Sequence, residues 1–73
     1  MRAVAATKNR DAVEPLAFTI EEFADAYRLS RATVYNLWRD GAGPARMRVR
    51  GRVLISREAA ENWRREVEQE AAA

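Results

Sequence analysis

Four arginines, Arg46, Arg48, Arg50 and Arg52, alternate with other residues in the run Arg46-Met-Arg-Val-Arg-Gly-Arg-Val-Leu-Ile55. On strands, side chains two apart share a side, so these guanidinium groups are expected to project together from one face and from the tip of a hairpin. Each is a planar fork that donates two parallel hydrogen bonds, a geometry suited to phosphate oxygens. A narrow minor groove would also attract them. The plainer alternative is a hairpin that uses charge to block edge pairing. A second set of chemistry-bearing residues precedes it, in Ser30-Arg-Ala-Thr-Val-Tyr-Asn-Leu-Trp-Arg39. With Val34, Leu37 and Trp38 turned inward on a helix, a step of about 100° per residue puts Ala32, Asn36 and Arg39 outward, with Thr33 and Tyr35 beside them. Asparagine can bond adenine at two atoms and arginine can bond guanine at two, so this face suits a major groove. The helix N-terminus near Ser30 and Arg31 offers backbone N–H groups to a phosphate. Tyr35 either bonds a phosphate or covers the edge of the core. An ordinary solvated helix face, with Arg39 complementing the helix dipole, is the competing reading.

The remaining composition narrows the function further. The chain has 73 residues, no cysteine and no histidine. Thiolate nucleophiles, thiolate-ligated metal sites, the commonest metal ligand and the usual general base are all missing. The glutamates at 58, 61, 66, 68 and 70 have no partner base, so they read as solvated charge on a helix. No enzyme, cofactor or metal is expected. No apolar run approaches the roughly 20 residues of a membrane span, and the start lacks the apolar core of a signal peptide. A cytoplasmic protein is the expectation. Charge is partitioned along the chain: residues 28–57 hold eight arginines against Asp40 alone, while residues 16–27 and 58–73 are each net acidic. A central cationic block with acidic shoulders suits a polyanion.

The elements that would position these residues can be read in order. Residues 1–15 lack periodicity and are expected to be a disordered tail; its Arg2, Lys8 and Arg10 could serve as a minor-groove arm but read better as plain tail. Leu16–Phe18 is a short extended stretch. Thr19-Ile-Glu-Glu22 is a capping box opening a two-turn helix with Ile20, Phe23, Ala24 and Tyr27 on one stripe. Ser30 caps a second helix that ends near Asp40-Gly41. Gly51 supplies the turn of a hairpin whose Met47, Val49, Val53 and Ile55 are expected on its inner face. Ser56 caps a third helix over residues 57–69, with Ala59, Ala60, Trp63 and Val67 inward and 70–73 frayed. The expected core adds Leu16, Phe18, Tyr27, Leu29, Leu37 and Trp38. The domain would span 16–69, mainly α with a two-stranded β wing, in the order helix, helix, hairpin, helix.

These motifs resemble the excisionase/AlpA-type winged helix-turn-helix, a short relative of the MerR DNA-binding domain. The resemblance rests on Thr19 to Ala24, on Leu-Ser-Arg-Ala-Thr-Val-Tyr from Leu29 to Tyr35, on Asp40-Gly41, and on Ile-Ser-Arg-Glu from Ile55 to Glu58 with Trp63. The linker Ala42-Gly-Pro-Ala45 is similar to the AlpA side of the group. The resemblance implies double-stranded DNA as partner, with Ser30, Arg31, Thr33, Tyr35, Asn36 and Arg39 on the recognition helix and Arg48, Arg50 and Arg52, joined by Arg46, on the wing. It implies a phage or mobile-element protein, either an excisionase that bends DNA or a transcriptional regulator. Head-to-tail copies on DNA and an integrase are its implied protein partners. A non-catalytic protein-interaction module is the alternative of another class. No small-molecule effector is expected, since the chain shows no long coiled coil or effector domain.

Overall fold

The structure, a computed structural model, describes residues 15–72. The expected tail over 1–14, with Arg2, Lys8 and Arg10, lies outside them. In chain order the elements are β1 (Ala17–Thr19), α1 (Ile20–Ala26), α2 (Arg31–Arg39), β2 (Met47–Val49), β3 (Arg52–Ser56) and α3 (Arg57–Ala72). Local hydrogen bonds explain each helix start. Thr19 Oγ1 accepts from the Glu22 N–H at 3.1 Å, and the Glu22 carboxylate accepts from the Thr19 N–H at 3.0 Å. Ser30 and Ser56 accept from the N–H groups of Thr33 and Ala59, three residues on. Each bond satisfies a donor that the helix itself leaves unpaired.

Both short helices end in the same device. The Ala42 N–H donates to Leu37 O at 2.8 Å and the Gly41 N–H to Trp38 O at 3.1 Å, the paired bonds of a Schellman motif with Gly41 left-handed. At the end of α1 the equivalent bonds run from Leu29 to Ala24 and from Arg28 to Asp25. There the left-handed residue is Arg28, with φ 61°. A side chain at such a φ carries strain that glycine would not.

The sheet has three strands rather than the expected two, in the order β1-β3-β2, all antiparallel neighbours. Phe18 of the short extended stretch pairs with Ile55. The turn is Arg50-Gly51, both residues with positive φ, 49° and 82°, the pattern of a two-residue type I′ hairpin. That turn pairs Val49 with Arg52, Arg48 with Val53 and Met47 with Leu54. The pairing inverts parity across the turn, so the expected faces are corrected. Arg48 shares the face of Val53 and Ile55, which is turned to the helices. Arg52 shares the opposite face with Met47, Val49 and Leu54. The four arginines do not form one ridge.

The core is Phe23, Ala24, Val34, Ile55, Ala60 and Trp63, with Phe18, Ile20, Tyr27, Leu29, Leu37, Trp38 and Ala59 packed around it. Phe23, Tyr27 and Trp63 form a triangle of rings, with centroids 4.9, 5.3 and 5.4 Å apart. Four residues expected to face inward are exposed instead. Leu16 precedes β1, Met47 and Val49 lie on the outer sheet face, and Val67 lies within residues 65–72 of α3, all of which are exposed. That helix continues through Ala72, beyond its expected end.

Two indoles fasten the loop between α2 and β2. Trp38 Nε1 donates to Pro44 O at 2.8 Å, and Trp63 Nε1 donates to Ala42 O at 2.9 Å. Between these anchors the loop lies flat on Trp38: a Cβ at Gly43 would sit 2.5 Å from Trp38 Cδ1. Gly43→Ala is therefore expected to destabilise the domain by about 1–3 kcal/mol, as overpacking does. A thermal melt followed by circular dichroism checks it, and an unchanged melting temperature would show that the indole gives way freely.

Candidate nucleic-acid interface

Helix α2 buries one stripe and exposes the rest. Val34 is fully buried and Leu37 and Trp38 are half-buried. Arg31, Ala32, Thr33, Tyr35, Asn36 and Arg39 are all exposed, as the helical period requires. At its start the Ser30 and Thr33 hydroxyls are 2.9 Å apart and bonded to each other. One turn on, Tyr35 stands edge-on to Trp38, with centroids 5.8 Å apart, and keeps almost half of its surface in solvent. Arg39 Nε is 3.4 Å from Asp40 in an open surface pair, an interaction of little strength. Among the described residues no hydrogen bond engages the Asn36 side chain, so its amide is free to pair with an incoming group.

Residues of the hairpin and its base lie beside both ends of α2. Arg52 and Val53 line one shallow concavity with Arg31, Thr19, Ile20 and Glu21. At the other end the Arg46 guanidinium lies over the Trp38 ring, 4.4 Å from its centre. Arg46 is thus already stacked, a cation–π contact that helps hold the base of the hairpin to α2. Arg48 and Arg50 are exposed, Arg50 at the tip of the turn. Among the described residues Arg48, Arg50 and Arg52 form no ion pair. Arg48 and Arg50 therefore project unpaired charge, while Arg52 shares its concavity with Glu21.

One contact in this surface leaves no trace in residue spacing. Arg31 Nη1 donates to Glu21 Oε2 at 3.4 Å, and Arg31 Nη2 donates to Tyr35 Oη at 3.4 Å. The hydrogen bond to Tyr35 first, then electrostatic attraction to Tyr35 and Glu21, raise the Arg31 pKa above the ordinary guanidinium value. Ten residues separate Glu21 from Arg31, so no helical spacing rule points to the pair. Only the angle between α1 and α2 creates it.

Among the described residues there is no group of three or more His, Cys, Asp or Glu side chains that could hold a metal, and no helix long and apolar enough to cross a membrane. Two short helices joined by a four-residue turn, with a hairpin wing against the second, define a winged helix-turn-helix. A family model described as a helix-turn-helix domain matches residues 17–67. The chain belongs to that family, whose domains bind DNA and are not catalytic. No curated protein and no solved structure matches it.

Proposed function

We propose that this protein is a sequence-specific double-stranded DNA-binding protein of phage or mobile-element type that acts as an excisionase, binding repeated sites and bending the duplex between them. The observation that carries this reading is the join of Arg52 to Arg31 around one concavity, beside the exposed face of α2. In this reading α2 lies in the major groove. Asn36 and Arg39 face base edges; Ser30, Thr33 and Tyr35 meet phosphates. Arg50 at the tip and Arg52 beside Arg31 reach the flanking backbone or minor groove, Arg48 reaches it from the other face of the hairpin, and Arg46 braces the hairpin. One such domain covers only a few base pairs, so useful affinity needs several copies head-to-tail or a partner such as an integrase. Bending costs a few kcal/mol and is offset by the contacts it permits.

A footprint on randomised and genomic duplexes tests the reading. Protection of several repeats, together with altered integrase products in vitro, supports the excisionase role. Binding at a promoter that changes transcript level without an integrase would move the protein to the regulator class, which the linker Ala42–Ala45 favours. At the level of residues, Asn36→Ala and Arg39→Ala are each expected to relax base preference by about 1–3 kcal/mol at one position. An equal loss on all sequences, measured by fluorescence anisotropy, would reassign them to phosphate contacts.

A further inference from the structure

A carboxylate stands inside the cationic surface. Glu21 lies in the first turn of α1 and lines the same concavity as Arg31 and Arg52. For a surface that grips phosphates this is costly, because a like charge repels the ligand. A carboxylate in the first turn of α1 suits the helix dipole, but Glu22 already supplies one there, and that effect does not require a pairing with Arg31. The pair with Arg31 is open to solvent, its side chains 57% and 70% exposed, and such pairs contribute little. Capping does not explain it either, since Glu22 is the residue that closes the capping box.

What the contact does is fix a guanidinium. Arg31 is held from α1 by Glu21 and from its own helix by Tyr35, through two different nitrogens. Its guanidinium carbon also sits 5.9 Å from the Tyr35 ring centre. Of its five N–H donors, two are engaged and three remain available. Arg31 is the first residue of α2. In helix-turn-helix domains the N-terminal residues of the second helix reach base edges, and a guanine presents two acceptors to one arginine fork. A loose Arg31 would instead follow the nearest phosphate on any sequence. With Glu21 in place, leaving for a phosphate breaks the ion pair and brings an unpaired carboxylate up to the backbone. We infer that Glu21 is a specificity-determining positioning residue: with Tyr35 it aims Arg31 at a base edge and holds it off the phosphates of non-cognate DNA. This rests on the DNA-binding reading above.

The experiment measures binding by anisotropy across a salt series. It uses the best duplex selected from a randomised pool, variants of it with single base-pair changes, and mixed-sequence DNA. Glu21→Gln keeps the size and removes the charge. It should bind mixed-sequence DNA about 3- to 10-fold more tightly, with a salt slope steeper by about 1 as Arg31 gains a phosphate. It should also lose about 10-fold of discrimination at one base pair. Tyr35→Phe should lose discrimination at the same base pair. Asp25→Asn makes the same charge change on α1, where Asp25 forms no ion pair among the described residues; it should tighten all DNA alike and leave discrimination intact. Discrimination by Glu21→Gln equal to wild type would overturn the role of Glu21. So would an equal loss in Asp25→Asn, which would assign the effect to the net charge of α1. Failure of the wild-type chain to bind any duplex is a different result: it removes the DNA reading itself. Melting temperatures within a few degrees of wild type separate these effects from misfolding.

Discussion

Trp63→Ala is expected to leave the chain largely unfolded at room temperature. Trp63 is 8% exposed and meets Phe23 edge-on at 5.3 Å and Tyr27 at 5.4 Å. Truncating a buried tryptophan costs about 3–5 kcal/mol. The loss also removes the hydrogen bond by which the indole N–H holds the Ala42 carbonyl. Total stability for a domain of this size is on the order of 3–9 kcal/mol, so the two are comparable. Trp63→Phe separates the contributions: it keeps a ring against Phe23 and Tyr27 but drops the N–H, and should cost about 1–3 kcal/mol. Far-UV circular dichroism with a thermal melt reads both. A cooperative, near-native melt for Trp63→Ala would mean that the ring triangle is not what holds the third helix to the first.

The second large effect belongs to the hairpin. Arg50→Ala with Arg52→Ala should weaken binding to every duplex by about 3 kcal/mol, roughly 100-fold, from two charge-assisted contacts. The slope of log affinity against log salt should fall by about 2, because two fewer counterions are released. Base preference should stay as it was. Stability should change by no more than about 0.5 kcal/mol, since both side chains are exposed and without an ion pair among the described residues. Alanine at position 50 keeps the left-handed strain that arginine already carries there. An unchanged salt slope would take the hairpin off the DNA.

What could be read from the chain depended on how local its cause is. The capping box at Thr19 and Glu22, and the caps at Ser30 and Ser56, follow from hydrogen bonds three residues long, so the residue types suffice. The exposed and buried sides of α2 follow from helical period alone. The hairpin faces depended on loop length, and counting by twos straight through Arg50-Gly51 put Val49 inside and Arg48 outside. An Asn-Gly or Asp-Gly turn would have signalled the two-residue loop; Arg-Gly does not. Strand β1 is three residues long, too short to show alternation, and its partner lies far along the chain. Val67 is in phase with Trp63 but sits in the last turns of α3, where residues 65–72 are all exposed. The Glu21–Arg31 contact depends on the angle between two helices, which residue spacing does not carry.

Trp38 and Trp63 are the chain's two tryptophans, and both indole N–H groups are spent on the same short connection. The molecule therefore carries its own optical gauge of whether that connection is seated. One emitter is enclosed among aromatic rings, while the other lies beneath a guanidinium at the rim of the proposed contact surface. Loss of the whole fold changes the surroundings of both emitters. An event confined to the rim changes those of Trp38 alone, so emission spectra can tell a bound partner from a melted domain without any added dye.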